Sequence, residues 1–160
     1  MSEKKRKQRS GLRGAARLYA VQILYRSTMG HQSLRKLIDE SSAKDEIFIS
    51  ENVSIFDMDH EFFTNLLMAT EQHIVEVDEI IRKHLSENWS LDRIDSVIVC
   101  VFRLAITEII CFKNTPINVI LNEYVEIAKA FFGKPQVSFV NGLLHSVAND
   151  SEVRVSDACP

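Results

Sequence analysis

Residues 116–144, PINVILNEYVEIAKAFFGKPQVSFVNGLL, contain two helix-forming segments separated by a short break. Thr115 is suited to the N-cap of the first segment and Pro116 to its first helical position, where no backbone N–H is needed. Gly133 and Pro135 then end one helix and begin the next. Apolar side chains recur every three or four residues through both segments, which predicts a pair of helices with one buried face each; they are Ile117, Ile120, Leu121, Tyr124, Ala128, Phe131, Phe139, Val140, Leu143, Leu144 and Val147.

The helical period continues through most of the chain, and no internal repeat or linker interrupts it. Asp59 is a suitable cap for a long helical region over 60–85 with a break near 71–73, and Ser90 for the helix after it. That next helix is apolar on most sides, which predicts that it lies at the centre of the fold. Residues 43–58 fit either a short extended piece or a loop, and no convincing strand pattern occurs elsewhere.

These patterns predict an all-α fold, a compact bundle of about six or seven helices with a disordered basic N-terminal arm. We place the arm at residues 1–11, a single helical domain at 12–149 and a disordered tail at 150–160. Residues 12–29 and 34–41 provide the first two helices. A chain of 160 residues, 46% of them apolar, is long enough to bury a core of its own.

The cysteine count and the hydropathy both favour a cytoplasmic protein. Cys100, Cys111 and Cys159 are an odd number without CxxC spacing, which is more typical of a reducing compartment than of a disulfide framework. No stretch of 18 uninterrupted apolar residues occurs, and no apolar segment follows the basic N-terminus. The sequence therefore predicts no membrane segment, and it leaves monomer and homodimer both open for the free protein.

Charge is distributed unevenly along the chain. Residues 1–17 carry seven basic side chains and one acidic, a net charge of +6, so the remaining residues carry −9 within the total of −3. A basic segment on an acidic body is typical of nucleic-acid binding, because contacts to phosphates release counterions. The alternative is a solubilising tail. Arg13 and Arg17 lie four residues apart, so the sequence predicts that they extend the basic surface onto an ordered helix.

Enzyme motifs are missing from the sequence. It contains no GxxxxGK[ST], GxGxxG or GxSxG, and its histidines and cysteines lack metal-site spacing, so we predict neither cofactor nor metal. Glu108 is the one carboxylate in a strongly apolar helix, and a structural ion pair with Arg103 or a neighbouring helix is the favoured explanation over catalysis. We therefore expect a protein that is not an enzyme.

Three separated motifs give this chain a specific resemblance. NEYVEIAKAF at 122–131 followed by FVNGLL at 139–144 resembles the signature of the NusB family of transcription antitermination factors. AARLYAVQILYR at 15–26 and NWSLDRI…FRLAITEII within 88–110 agree with that family in order and spacing. The chain departs from the family pattern at 133–137, GKPQV, where family members often have acidic and serine residues.

The resemblance implies a fold and a function. NusB-like proteins bind a boxA-type single-stranded RNA together with NusE, a small-subunit ribosomal protein. The complex joins the RNA polymerase elongation complex and suppresses termination, notably on ribosomal RNA operons. The alternative is a non-catalytic helical protein-interaction adaptor with a nonspecific basic arm. A methyltransferase fusion is not expected, because 160 residues leave no room for a cofactor domain.

The candidate RNA-binding residues combine cations for phosphates with aromatic and amide groups for unstacked bases. Tyr25 fits either a partly buried ring or a stacking platform. Gly142 is assigned to close helix packing, since glycine inside a helix costs stability. The predicted RNA-binding set is Lys4, Lys5, Arg6, Lys7, Arg9, Arg13, Arg17, Gln22, Tyr25, Lys134, Phe139 and Asn141.

Overall fold

The computed structural model describes residues 2–43, 48–50, 53–54 and 58–154. The fold is all-α, and the described chain divides into two compact units, residues 1–68 and 69–160. Eight α-helices occur in the described ranges: α1 (Glu3–Gly30), α2 (Leu34–Ala43), α3 (His60–Gln72), α4 (Ile74–His84), α5 (Ser96–Cys111), α6 (Ile117–Phe131), α7 (Lys134–Asn149) and α8 (Ser151–Arg154). This count in the described ranges exceeds the predicted six or seven, because α8 lies within the predicted C-terminal tail.

Helix α1 begins nine residues earlier than predicted. The sequence predicts a helix from Leu12 after a disordered arm, whereas α1 runs continuously from Glu3. Lysine, arginine and glutamine are good helix formers, so these residues extend the helix without tertiary contacts. Every residue from Glu3 to Gly11 is exposed, and burial begins at Ala15. The boundary at residue 12 is therefore a change in burial rather than in secondary structure.

The first unit is built on the buried side of α1, against which α2 and the N-terminal part of α3 pack. The rings of Tyr19 and Phe63 stack with centroids 5.1 Å apart and an interplanar angle of 18°. Burial raises the pKa of Tyr19, although the charge of Arg26 opposes the shift. As predicted, Asp59 caps α3, where its Oδ1 accepts a hydrogen bond from the backbone N–H of Phe62 at 2.9 Å.

The segment that the sequence left ambiguous contains a short antiparallel pair of strands. β1 (Phe48–Ser50) pairs with β2 (Val53–Ser54), with Phe48 opposite Ser54. An extended piece is therefore present near Phe48, as one of the two predicted alternatives proposed. The predicted residues 44–47, 51–52 and 55–57 lie outside the described part of the chain.

The second unit surrounds α5, as its all-round apolar character predicts. Every residue from Ile98 to Ile110 is buried except Arg103, which is partly exposed. The helix starts later than the predicted Ser90 cap because a 3-10 turn (Leu91–Arg93) comes first. Asp95 is the actual cap, and its Oδ1 accepts a hydrogen bond from the N–H of Val97 at 2.8 Å. The break predicted near 71–73 separates α3 from α4.

Helices α6 and α7 confirm the predicted pair, with corrections at their ends. Helix α6 starts at Ile117 with Pro116 at the N-cap, one residue later than predicted. Gly133 is the N-cap of α7 and Pro135 lies in its first turn, as predicted. Phe131, which was placed in the buried stripe, is 42% exposed at the end of α6. Phe131 lies in the last turn of α6, where an apolar residue at the right spacing is not necessarily covered by a neighbouring helix.

The chain after α7 also differs from prediction. Ser151–Arg154 forms α8, so the predicted disordered tail is wrong for these four residues, while 155–160 lie outside the described range. Cys100 is a buried free thiol.

Candidate nucleic-acid interface

Five cations form an exposed basic segment on the first turns of α1. All five side chains are exposed, and the helix places them around its whole circumference rather than on one face. Only Glu3 opposes them within this segment. The arrangement provides a concentrated positive charge that any polyanion can reach; we call these residues the basic segment, and they are Lys4, Lys5, Arg6, Lys7 and Arg9.

Arg13 and Arg17 contact the Phe62 ring instead of continuing the basic segment outward. Their guanidinium carbons lie 4.8 Å and 5.0 Å from the ring centroid, within the range of a cation–π contact. The Nε of Arg13 lies 3.5 Å from Oδ2 of Asp59. Arg17 is only 2% exposed. The structure therefore gives Arg17 a packing role and leaves little of its side chain exposed for the predicted phosphate contact, because helical spacing alone does not show which face is covered.

Gln22 and Tyr25 share a flank of α1 away from the buried face. They are three residues apart, so their side chains are neighbours on the helix surface. Gln22 is partly exposed and Tyr25 is 36% exposed, with Met29 at 53% one turn further on. Tyr25 therefore presents an accessible ring, consistent with the stacking alternative.

In the second unit, α7 carries the other predicted residues. Lys134 and Asn141 are exposed, and Phe139 is partly exposed. The Phe139 ring is held between two others: Trp89 stacks on it at 5.9 Å and 27°, and Phe102 meets it edge-on at 5.5 Å and 75°. Because Phe102 is fully buried, this aromatic column is anchored in the core. Lys134 and Asn141 are seven residues apart and share one side of α7, whereas Phe139 lies nearly opposite Asn141.

Gly142 does not pack against another helix, contrary to the prediction. It is exposed, and a Cβ built on it would meet no heavy atom within 4 Å. A glycine inside a helix costs about 1 kcal/mol relative to alanine. Nothing in the described part of the chain requires glycine at this position, so the packing assignment is wrong.

Electrostatics distinguish α7 from the rest of the chain. Between Lys134 and Asn149 the helix contains no aspartate or glutamate, although residues 18–160 together carry −9. The N-terminus of α7 has no side-chain cap, so its first N–H groups and the positive end of its dipole are not offset by a capping side chain beside Lys134. A negatively charged ligand therefore meets less repulsion at α7 than the net charge indicates.

The two polar residues that sequence analysis singled out inside the helices have structural partners. Arg103 pairs with Asp78 on α4, not with Glu108. Glu108 is fully buried and accepts a hydrogen bond from the hydroxyl of Tyr124 at 2.9 Å. The prediction of a structural role is consistent with these contacts, and of the two alternatives for Arg103 the structure shows the partner on a neighbouring helix.

Trp89 is a surface residue that the predicted set does not contain. Trp89 is 54% exposed although it stacks on Phe139. Its position in a polar loop between two helical segments, SENWSLD, was an available signal, because a large aromatic residue in such a loop has no helix face to bury it.

The comparisons with known proteins agree with this arrangement. Residues 14–149 match the model of the NusB family. The transcription antitermination protein NusB of Bartonella tribocorum is 35% identical over 136 residues, covering 85% of this chain and 87% of that protein. The NusB of Caulobacter vibrioides is 33% identical over 87% of this chain and 93% of its own length. The chain belongs to the NusB family.

Solved NusB structures share the fold. The NusB of T. maritima superposes with a TM-score of 0.71 and 26% identity over 86% of this chain and 90% of its own. A crystal structure of the antitermination factors NusB and NusE in complex with dsRNA gives a TM-score of 0.65 and 25% identity, over 84% of this chain and 94% of that one. The NusB-like fold is therefore established for this chain.

Two further features bear on the NusB-like chain as a whole. The segment 133–137, where this chain departs from the family pattern, forms the N-cap and first turn of α7. Within the described residues, no helix is long and apolar enough to cross a membrane.

Proposed function

We propose that this protein is a transcription antitermination factor that binds boxA-type single-stranded RNA together with the ribosomal protein NusE. The complex would join the RNA polymerase elongation complex and favour read-through of terminators, especially in ribosomal RNA operons. The observation that carries the proposal is membership of the NusB family over residues 14–149. The likeness to a NusB–NusE assembly with RNA supports both partners.

Two surfaces support the RNA contact. The basic segment supplies sequence-independent attraction to phosphates, and Arg13 remains partly exposed beside it. On α7, Phe139 supplies an aromatic ring and Asn141 an amide, the groups that recognise unstacked bases, and Lys134 lies on the same side of the helix as Asn141. Gln22 and Tyr25 extend the set on α1. Each of these assignments is a proposal about binding and placement, with no bond-making step.

The acidic remainder of the chain supports the protein partner. A charge of −9 outside residues 1–17 is complementary to a basic ribosomal protein, since opposite potentials speed encounter and disfavour wrong partners. The two partners thus use opposite charges on one chain. We also propose a cytoplasmic location, where nascent RNA, ribosomal proteins and polymerase are together.

Transcription through a terminator tests the function directly. A template with a boxA leader upstream of a terminator is transcribed with and without this protein, in the presence of NusE and the other elongation factors. We expect the read-through fraction to rise only when boxA is intact, because the RNA element loads the complex. A matched template with scrambled boxA is the control, and equal read-through from both templates would contradict the proposal.

The adaptor alternative makes a different prediction about the basic segment. If the protein only links other proteins, deleting residues 2–9 leaves every affinity unchanged. Under the RNA-binding proposal the same deletion weakens RNA binding and flattens its salt dependence, because fewer phosphates are neutralised.

A further inference from the structure

We propose that Trp89 and Gly142, which neighbour Phe139 in space and along α7 respectively, complete a stacking site for one base of a single-stranded RNA. The exposed face of the Trp89 ring is the platform, and Gly142 is the point where the RNA approaches the helix backbone. This inference rests on the proposed function and adds two residues that neither the sequence motifs nor the predicted set assigned to RNA.

Trp89 has the geometry of a fixed platform. One ring face lies against Phe139, which in turn meets the buried Phe102, so the opposite face is the one open to solvent. The loop beneath it is held by two turns: the N–H of Trp89 donates to the carbonyl of Ser86 at 2.9 Å, and that of Arg93 to Ser90 at 3.0 Å. A positioned aromatic ring gives base stacking at a low cost in ordering.

Gly142 explains how a ligand can lie close to that platform. It follows Phe139 by three residues, so the two positions are adjacent on the same side of α7. A Cβ at Gly142 would meet no atom of the described residues within 4 Å, so the glycine gives this part of the chain no packing benefit. Glycine is favoured where a ligand approaches the backbone closely. The bare helix surface beside Phe139 therefore fits a bound partner rather than internal packing.

The charge of α7 favours RNA over a basic protein as the occupant. Helix α7 carries Lys134 and no acidic residue, in a chain that is otherwise acidic outside residues 1–17. A basic protein would be drawn to acidic surfaces instead. Glu87 and Asp92 flank Trp89 on its loop and would repel a phosphate there. We therefore assign the base contact to the ring face of Trp89 and the phosphate contact to Lys134.

Trp89 is the only tryptophan in the chain, so its fluorescence reports on this site without substitution. We titrate the full-length protein with an unlabelled boxA-type single-stranded RNA and follow the emission. We expect saturable quenching, because a base stacks on the ring. Trp89→Ala should weaken binding, measured by anisotropy of labelled RNA, by about 5- to 150-fold. Its log–log salt slope should stay unchanged, whereas Lys134→Gln should reduce the slope by about 0.7.

Gly142→Ala separates this inference from a simple folding defect. The substitution should raise the thermal midpoint, because alanine is the better helix former and has room, and it should weaken RNA binding at the same time. Val75→Ala on α4, which truncates another exposed apolar side chain, is the control and should leave RNA affinity unchanged; Val75 is 70% exposed.

The outcomes distinguish this inference from the function beneath it. Suppose that the wild type prefers boxA, that its Trp89 emission is not quenched, and that both variants bind RNA like the wild type. This result would overturn the stacking site and leave the proposed function standing. Quenching by NusE alone would overturn it as well, by assigning the site to protein. Equal binding of boxA-type and scrambled RNA by the wild type would overturn the proposed function and the inference together.

Discussion

Asp78 and Arg103 join α4 to the central helix α5 through a two-pronged ion pair. Arg103 Nε donates to Oδ1 of Asp78 at 2.8 Å, and Nη2 donates to Oδ2 at 2.9 Å. The side chains are only 14% and 16% exposed. Parallel hydrogen bonds of this kind fix orientation as well as distance, so the pair sets how α4 lies on α5.

Removing one member of this pair should be strongly destabilising. Asp78→Ala leaves the Arg103 guanidinium largely buried without its carboxylate, and we expect a loss of about 2–4 kcal/mol in the free energy of unfolding, less than for complete burial. Urea denaturation measures the change. Glu126→Ala, which breaks the exposed pair with Lys129, is the control and should have little effect. Equal stability of the two variants would contradict the structural role of Arg103.

The buried hydrogen bond between Tyr124 and Glu108 should contribute measurably to stability. Tyr124→Phe removes the donor and leaves the ring in place, so we expect a loss of about 1–3 kcal/mol in the free energy of unfolding. Tyr25→Phe makes the same chemical change on an exposed ring and should leave stability unchanged. A Tyr124→Phe variant as stable as wild type would show that Glu108 needs no hydroxyl from this residue.

Arg17 and Arg9 should respond differently to substitution, although both are basic residues of α1. Arg17 is buried over Phe62, so Arg17→Ala should lower the free energy of unfolding by about 1–3 kcal/mol through lost packing and cation–π contact. Arg9 is exposed, so Arg9→Gln should leave stability unchanged and reduce the salt slope of RNA binding by about 0.7. If Arg17→Ala reduced the salt slope of RNA binding and left the free energy of unfolding unchanged, the packing role of Arg17 would be contradicted.

The ion pair between Lys83 and Asp150 predicts a pH dependence of stability. Lys83 Nζ lies 3.1 Å from Oδ2 of Asp150, and His84 Nε2 lies 3.0 Å from the same oxygen. The hydrogen bond from Lys83 lowers the pKa of Asp150 below 3.8. The hydrogen bonds to Glu152 and then Asp150 raise the pKa of Lys83 above 10.5.

The sign of each shift fixes the pH range. A lowered carboxyl pKa stabilises the fold above pH 3.8, and this contribution is lost as the pH falls through the folded-state pKa. A raised lysine pKa stabilises it below pH 10.5, and that contribution is lost as the pH rises. The difference in thermal midpoint between wild type and Asp150→Asn should therefore be present at pH 7 and shrink below pH 3.8. Asp92→Asn, at an exposed position, is the control. A difference in thermal midpoint between wild type and Asp150→Asn that does not change with pH would contradict the ion pair.

Helical periodicity was enough to predict the fold, because the apolar stripes of α5, α6 and α7 each reach the core. It failed where burial depends on packing rather than on position in a helix. Arg17 has the spacing of a surface cation, but Phe62 comes from a different helix and covers it. Phe131 continues an apolar stripe, yet no neighbour covers the last turn sufficiently to bury it.

The candidate site shows the same division between local and long-range information. Lys134 and Asn141 were predicted from residue type and lie on the exposed side of α7. Trp89 joins Phe139 from a loop fifty residues earlier, and that contact is invisible to local patterns. Gly142 was misassigned because sequence shows that a glycine interrupts a helix but not whether its missing side chain faces protein or solvent.

Binding of boxA-type RNA with and without the partner protein tests the central claim most directly. Labelled boxA-type RNA and a scrambled control are titrated at several salt concentrations, alone and with NusE, and followed by fluorescence anisotropy. Neutralising about four phosphates predicts a log–log salt slope near −3. We expect boxA to be preferred and the preference to sharpen when NusE is added. Equal binding of both RNAs, unaffected by NusE, would contradict the antitermination function and leave a helical protein with a nonspecific basic segment.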